Sequence, residues 1–180
     1  MKPIQEMTQA ELGAYVQTHL RKKGLDVVLS GGAAVTIYSA NKYVSHDLDM
    51  VRGYSASRRA ITAAMDEIGF EQKQARYFKH PASEHFVEFP PGPLTVGEEP
   101  VRQIDEIGFS TGRLRIISPT DCAKDRLASY YHFGDRRGLD QAIMVAKNND
   151  VDMAEIARWS QSEGPPGKLD DFMAGVNNTE

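Results

Sequence analysis

Two aspartates one residue apart, Asp47 and Asp49, stand in the run Asp47-Leu48-Asp49-Met50-Val51, which alternates between polar and apolar residues. Such alternation predicts a strand, where residues two apart share a face and lie about 6.6 to 6.8 Å apart along the chain. Both carboxylates then point one way, and Leu48 and Met50 the other. In Phe86-Val87-Glu88-Phe89 the same logic turns Val87 and Phe89 toward the core and adds Glu88 to the open face, with Glu84 and Glu71 as nearby alternatives. Three crowded acids repel one another unless a cation compensates. A hard divalent ion with oxygen ligands, magnesium first, is the natural partner.

Ser30-Gly31-Gly32 precedes this strand and follows the apolar run Val27-Val28-Leu29. A strand that enters a Gly-Gly turn and then a helix presents backbone N–H groups without side-chain bulk, a ready seat for phosphate oxygens. Ser30 can donate one more hydrogen bond. A phosphate cradle upstream of gathered acids is suited to phosphoryl transfer, with two metals offsetting the charge that develops.

The elements that must position these residues are legible from periodicity and punctuation. Thr8-Gln9-Ala10-Glu11 is a capping box opening a helix over 8–23 that Gly24 ends. A strand over 26–30, a helix over 33–38, the Asp-x-Asp strand over 47–51 and a helix over 57–68 follow. Further strands are predicted over 76–79, 85–89, 104–109 and 113–117, the last two as a hairpin. Beyond Ser118-Pro119 the pattern becomes helical, over 121–132, 136–148 and 152–163. The expectation is an α+β core over 1–117, a helical segment over 118–164 and a loose tail over 165–180 with one helical turn at Leu169 to Met173.

Composition narrows the class. The 180 residues are 41% hydrophobic and 26% charged, which disfavours collagen-like, disordered and disulfide-scaffold chains. No apolar run approaches the roughly 18 to 20 residues that span a bilayer, and one cysteine, Cys122, cannot form an internal bridge, so a cytoplasmic protein without a membrane partner is expected. The net charge of −4 is uneven, with seven acids against two bases from Asp150 onward. Arg113, Arg115, Lys124, Arg126, Arg136 and Arg137 form a modest basic zone, opposed there by Asp121, Asp125 and Asp135. Lys124 has two readings, a phosphate ligand or a helical ion pair with Asp121 or Asp125. Tyr131 is the candidate to stack a nucleobase, against the plainer reading that aromatic residues on a helix are core. The histidines at 80 and 85 carry Pro81 between them and make a poor zinc pair.

Leu29-Ser30-Gly31-Gly32, a helix, Asp47-Leu48-Asp49-Met50 and a later strand acid together resemble the nucleotidyltransferase fold of the DNA polymerase β superfamily. The likeness is greatest to the small bacterial nucleotidyltransferases of the abortive-infection and toxin type. It extends over about residues 25–148, because Lys124-Asp-Arg126-Leu-Ala128 and Asp135-Arg-Arg-Gly-Leu-Asp140 are similar to that group's helical elements. Two departures are a spacer of fourteen residues between Gly32 and Asp47 and a glutamate where the third acid is more often aspartate.

The resemblance implies a mixed sheet with flanking helices. It implies that Asp47, Asp49 and Glu88 ligate two magnesium ions and that Glu88 helps deprotonate the attacking hydroxyl. Ser30, Gly31 and Gly32 would hold the β and γ phosphates of an NTP, with Lys124 approaching the triphosphate. The implied acceptors are a tRNA end or a protein side chain, and the implied partner of such a toxin is an antitoxin. The alternatives are a small-molecule acceptor, as in antibiotic-modifying enzymes of this fold, and a module that binds a nucleotide or partner without turnover.

Overall fold

A computed structural model describes residues 2–53, 56–73 and 77–178. After a single 3-10 turn at Ile4–Glu6, the chain order is α1 (Gln9–Lys22), β1 (Val27–Ser30), α2 (Gly31–Tyr38), β2 (Asp47–Arg52), α3 (Arg58–Glu67), β3 (Glu71–Gln72), β4 (Tyr77–Lys79) and β5 (Phe86–Glu88). It continues with β6 (Thr95–Val96), β7 (Glu99–Pro100), β8 (Ile104–Phe109), β9 (Gly112–Ile117), α4 (Pro119–Phe133), α5 (Arg136–Asn148), α6 (Met153–Glu163) and α7 (Lys168–Asn177). Seven strands form one mixed sheet in the order β3-β4-β5-β2-β1-β9-β8, and β6 and β7 pair as a separate ribbon. The α+β expectation holds.

Local chemistry sets the helix starts. The predicted capping box closes α1, with Thr8 N–H donating to Glu11 Oε2 at 2.8 Å and Glu11 N–H to Thr8 Oγ1 at 3.3 Å. Ser118 caps α4 ahead of Pro119, and Gly134 ends that helix in the left-handed region at φ 65°. Leu12, Val16 and Leu20 of α1 are buried. A Cβ on Gly13 would stand 3.0 Å from Leu114 and 3.3 Å from Leu48, so glycine there lets α1 lie close to the sheet. Leu48 and Met50 therefore point at α1, and the Asp47–Asp49 face is the opposite one.

The pattern understated the extended structure. β3, β6 and β7 are two residues each, too short for alternation to register, and the ribbon sits in a proline-rich stretch. Of the strand expected over 76–79, Arg76 lies outside the described residues. The larger difference is at the carboxyl end, where residues 168–177 form a full helix rather than a loose tail. Phe172 is fully buried, and Lys168 Nζ donates to the Tyr130 and Tyr131 carbonyls at 2.7 and 3.1 Å. One continuous cluster of buried apolar side chains runs from Met7 through the sheet to Trp159 and Phe172. Phe172→Ala should accordingly destabilise the protein by about 3–5 kcal/mol in urea unfolding, whereas a loose tail would tolerate it with a change under about 0.5 kcal/mol.

Candidate active site

Register brings the predicted residues into one row. Ser30 on β1 stands opposite Asp49 on β2, and Asp49 stands opposite Glu88 on β5. Asp47 lies two residues earlier on the same face of β2. Glu88 is almost entirely buried, while Glu84 is exposed and Glu71 lies on the outermost strand, hydrogen bonded to Lys73. The row therefore selects Glu88 among the three glutamates.

Gly31 begins α2 at φ 66°, a conformation that strongly favours glycine, and a Cβ there would overlap Oδ2 of Asp49. The turn and the carboxylate thus touch, as a phosphate seat beside a cation seat requires. A Cβ on Gly32 would come within 2.9 Å of Ser45 Oγ, so both glycines answer a close approach. Ser30 makes no side-chain capping bond to α2, and the first N–H groups of that helix start at the same turn.

Three of these residues, Ser30, Gly31 and Asp49, line a cleft of about 280 Å³, whereas Gly32, Asp47 and Glu88 are not part of its lining. Ser30, Gly31 and Asp49 form its floor, the stretch leading into the β6–β7 ribbon forms one wall, and Asp125 and Arg126 of α4 form the other. Burial, then the neighbouring charges of Glu88 and Asp47, pushes the Asp49 carboxyl up to about 6, against the pull of Arg126. Burial works against the Arg126 charge, but the charge and hydrogen bond of Asp125, with Cys122 and Asp49 adding to them, hold the guanidinium above its usual range.

A carboxyl raised by burial and by its crowded neighbours, as Asp49 is, fits a site that a cation would relieve. Among the described residues no group of three or more His, Cys, Asp or Glu side chains is gathered tightly enough to cage a metal alone. Magnesium characteristically takes one or two carboxylates and completes its shell with water and substrate phosphates, so this donor set fits that ion in company with a nucleotide.

Two expected nucleotide contacts lie elsewhere. Lys124 is buried and donates to Asp121 Oδ1 at 3.2 Å and Glu155 Oε1 at 2.9 Å, which is the ion-pair reading. It lines a second cavity with residues of β7, the head of α4 and α6. Tyr131 stacks on Trp159 at 5.7 Å between ring centroids and shares a 2.8 Å hydrogen bond with Ser160, both partners being buried. It is a core residue, which corrects the expectation that it stacks a base. Arg126 is the cleft residue passed over: two residues beyond Lys124 on an α-helix is a turn of about 200°, so α4 cannot aim both side chains at one site. The signal was present in Lys124-Asp-Arg126, but not the choice between its two cations.

The fold and the row of residues define a nucleotidyltransferase-like architecture. No protein-family profile and no curated protein matches the chain in sequence. Solved structures do match in shape. An antigenic nucleotidyltransferase-like protein from Paracoccidioides brasiliensis superposes with a TM-score of 0.61 at 15% identity over 92% of this chain and 93% of its own. The lincosamide antibiotic adenylyltransferase LnuA, in its lincomycin-bound form, gives 0.50 at 16% identity over 77% and 98%. The antibiotic-resistance factor ANT(2'')-Ia gives 0.50 at 12% over 90% and 85%. The chain has the nucleotidyltransferase fold.

Proposed function

We propose that the protein transfers a nucleoside monophosphate from an NTP to a hydroxyl acceptor. The observation that carries this reading is the Ser30–Asp49–Glu88 row closed by the glycine turn at Gly31. Ser30, Gly31 and Gly32 would seat the β and γ phosphates, and Asp47, Asp49 and Glu88 would hold magnesium. Bound there, magnesium would supply charge stabilisation at the transferring phosphate. The acceptor oxygen attacks the α-phosphorus, the bond to the bridging oxygen of the β-phosphate breaks, and pyrophosphate leaves. Glu88 would take the hydroxyl proton.

For the acceptor, the second cavity favours the small-molecule reading over a tRNA end or a protein. It has a volume of about 710 Å³, within the size range of small-molecule sites. Its lining has four acids against three bases, and Lys124 and Arg158 are already paired with Asp121, Glu155 and Glu99. That is not the basic surface a nucleic-acid backbone requires. It shares no lining residue with the cleft, but the β6–β7 ribbon contributes to both, β6 to the cleft and β7 to the cavity.

The test is incubation with each α-labelled NTP, magnesium and, in separate reactions, aminoglycosides, lincosamides, total RNA and cell lysate. Label should pass to a small product and vanish with Asp47→Ala plus Asp49→Ala. Labelled tRNA or protein would restore the toxin-type acceptor, with an antitoxin as the partner to seek. Transfer that survives the double substitution, or no label with any NTP and any acceptor, contradicts the proposal.

A further inference from the structure

The cleft lining holds a cation, Arg126, to which the sequence resemblance assigns no role, having given the triphosphate contact to Lys124. Arg126 shares the cleft lining with Ser30, Gly31 and Asp49, and its side chain keeps 22% of its exposure there. Its Nε donates to Asp125 Oδ2 at 3.0 Å, and Nη2 is bonded to the same oxygen. A guanidinium has five N–H donors, so this pairing with one oxygen leaves donors over. It is also the cation whose field acts on Asp49. Lys124, by contrast, is committed to Asp121 and Glu155 on another side of α4 and lies 5.7 Å from the Trp159 ring.

A planar fork beside a glycine turn matches the geometry of phosphate oxygens better than an ammonium does. We propose that Arg126 is the phosphate-gripping side chain of this cleft. It rests on Asp125 while the cleft is free of nucleotide and donates to phosphate oxygens when a triphosphate enters, whereas Lys124 is a structural ion-pair residue. The inference rests on the nucleotidyl-transfer reading and assigns its triphosphate contact to a particular residue.

Inorganic tripolyphosphate with magnesium tests it by isothermal titration calorimetry, without turnover. The unsubstituted protein should bind. Arg126→Met should weaken binding about 10- to 100-fold, the usual range for loss of a charge-assisted contact. Arg126→Lys, which keeps charge and loses the fork, should fall between, and secures the test should the methionine variant fold poorly. Lys124→Gln should lower the melting temperature yet leave affinity within about two-fold well below the melt. Unchanged affinity in both Arg126 variants, or a loss in Lys124→Gln matching that of Arg126→Met, overturns the assignment of Arg126 while leaving the transfer reading intact. No binding by the unsubstituted protein contradicts the transfer reading itself.

Discussion

Asp49→Asn is expected to abolish nucleotidyl transfer and, at pH 7.5, to make the protein more stable. Both effects follow from the environment of one carboxylate. Burial first, then Glu88 and Asp47, holds the Asp49 carboxyl at about 6, above its ordinary range near 4. A carboxyl whose folded pKa is raised favours the fold in its protonated form. That contribution is complete below about pH 4 and is lost as the pH rises through about 6. The difference amounts to roughly 2–3 kcal/mol of destabilisation above pH 7. Asparagine keeps the shape and removes the charge, so the variant should gain up to about that much at pH 7.5 and little at pH 4.5. Urea unfolding of both proteins at pH 4.5, 6 and 7.5 measures it, and a stability difference that stays flat with pH would count against crowding at Asp49. Loss of the proposed cation ligand should meanwhile lower turnover about 1,000-fold or more, several kcal/mol of transition-state stabilisation.

Gly31→Ala should damage both the stability of the protein and its transfer activity. Gly31 has φ 66°, and the added Cβ would meet the Asp49 carboxylate. The left-handed conformation alone costs about 1–2 kcal/mol for alanine. Gly24 separates the two effects, because it has φ 72° and nothing within 4 Å of its would-be Cβ. Gly24→Ala should therefore cost about 1 kcal/mol and leave transfer unchanged. Gly31→Ala should cost more and reduce transfer at least about 100-fold, since moving a catalytic group by an ångström has consequences of that size. Equal effects of the two substitutions on activity would mean that the turn does not position Asp49.

The parts of this site carried by short-range rules were legible in the amino-acid order. Alternation placed Asp47 and Asp49 together and Leu48 and Met50 opposite, and Gly31-Gly32 marked the turn because few other residues tolerate it. Lys124 and Arg126 show where those rules end. Cys122, Ala123, Lys124, Leu127, Tyr130 and Tyr131 of α4 are all buried, so the helix has no single apolar stripe from which its facing could be read. The same holds for Tyr131, whose partners Trp159 and Ser160 are 28 and 29 residues away. Residues 168–177 look like a polar tail because the anchoring is concentrated in Phe172 and in the Lys168 bonds to the end of α4, contacts that composition does not announce. Strand pairing, likewise long-range, chose Glu88 over Glu71 and Glu84.

Manganese binding followed by electron paramagnetic resonance, in the presence of a non-hydrolysable triphosphate, addresses the site most directly. The unsubstituted protein should immobilise two ions per chain, and Asp47→Asn and Asp49→Asn should each lose at least one. Identical manganese binding in all three proteins, or none in the unsubstituted one, would contradict the claim that these carboxylates seat cations beside the Gly31 turn.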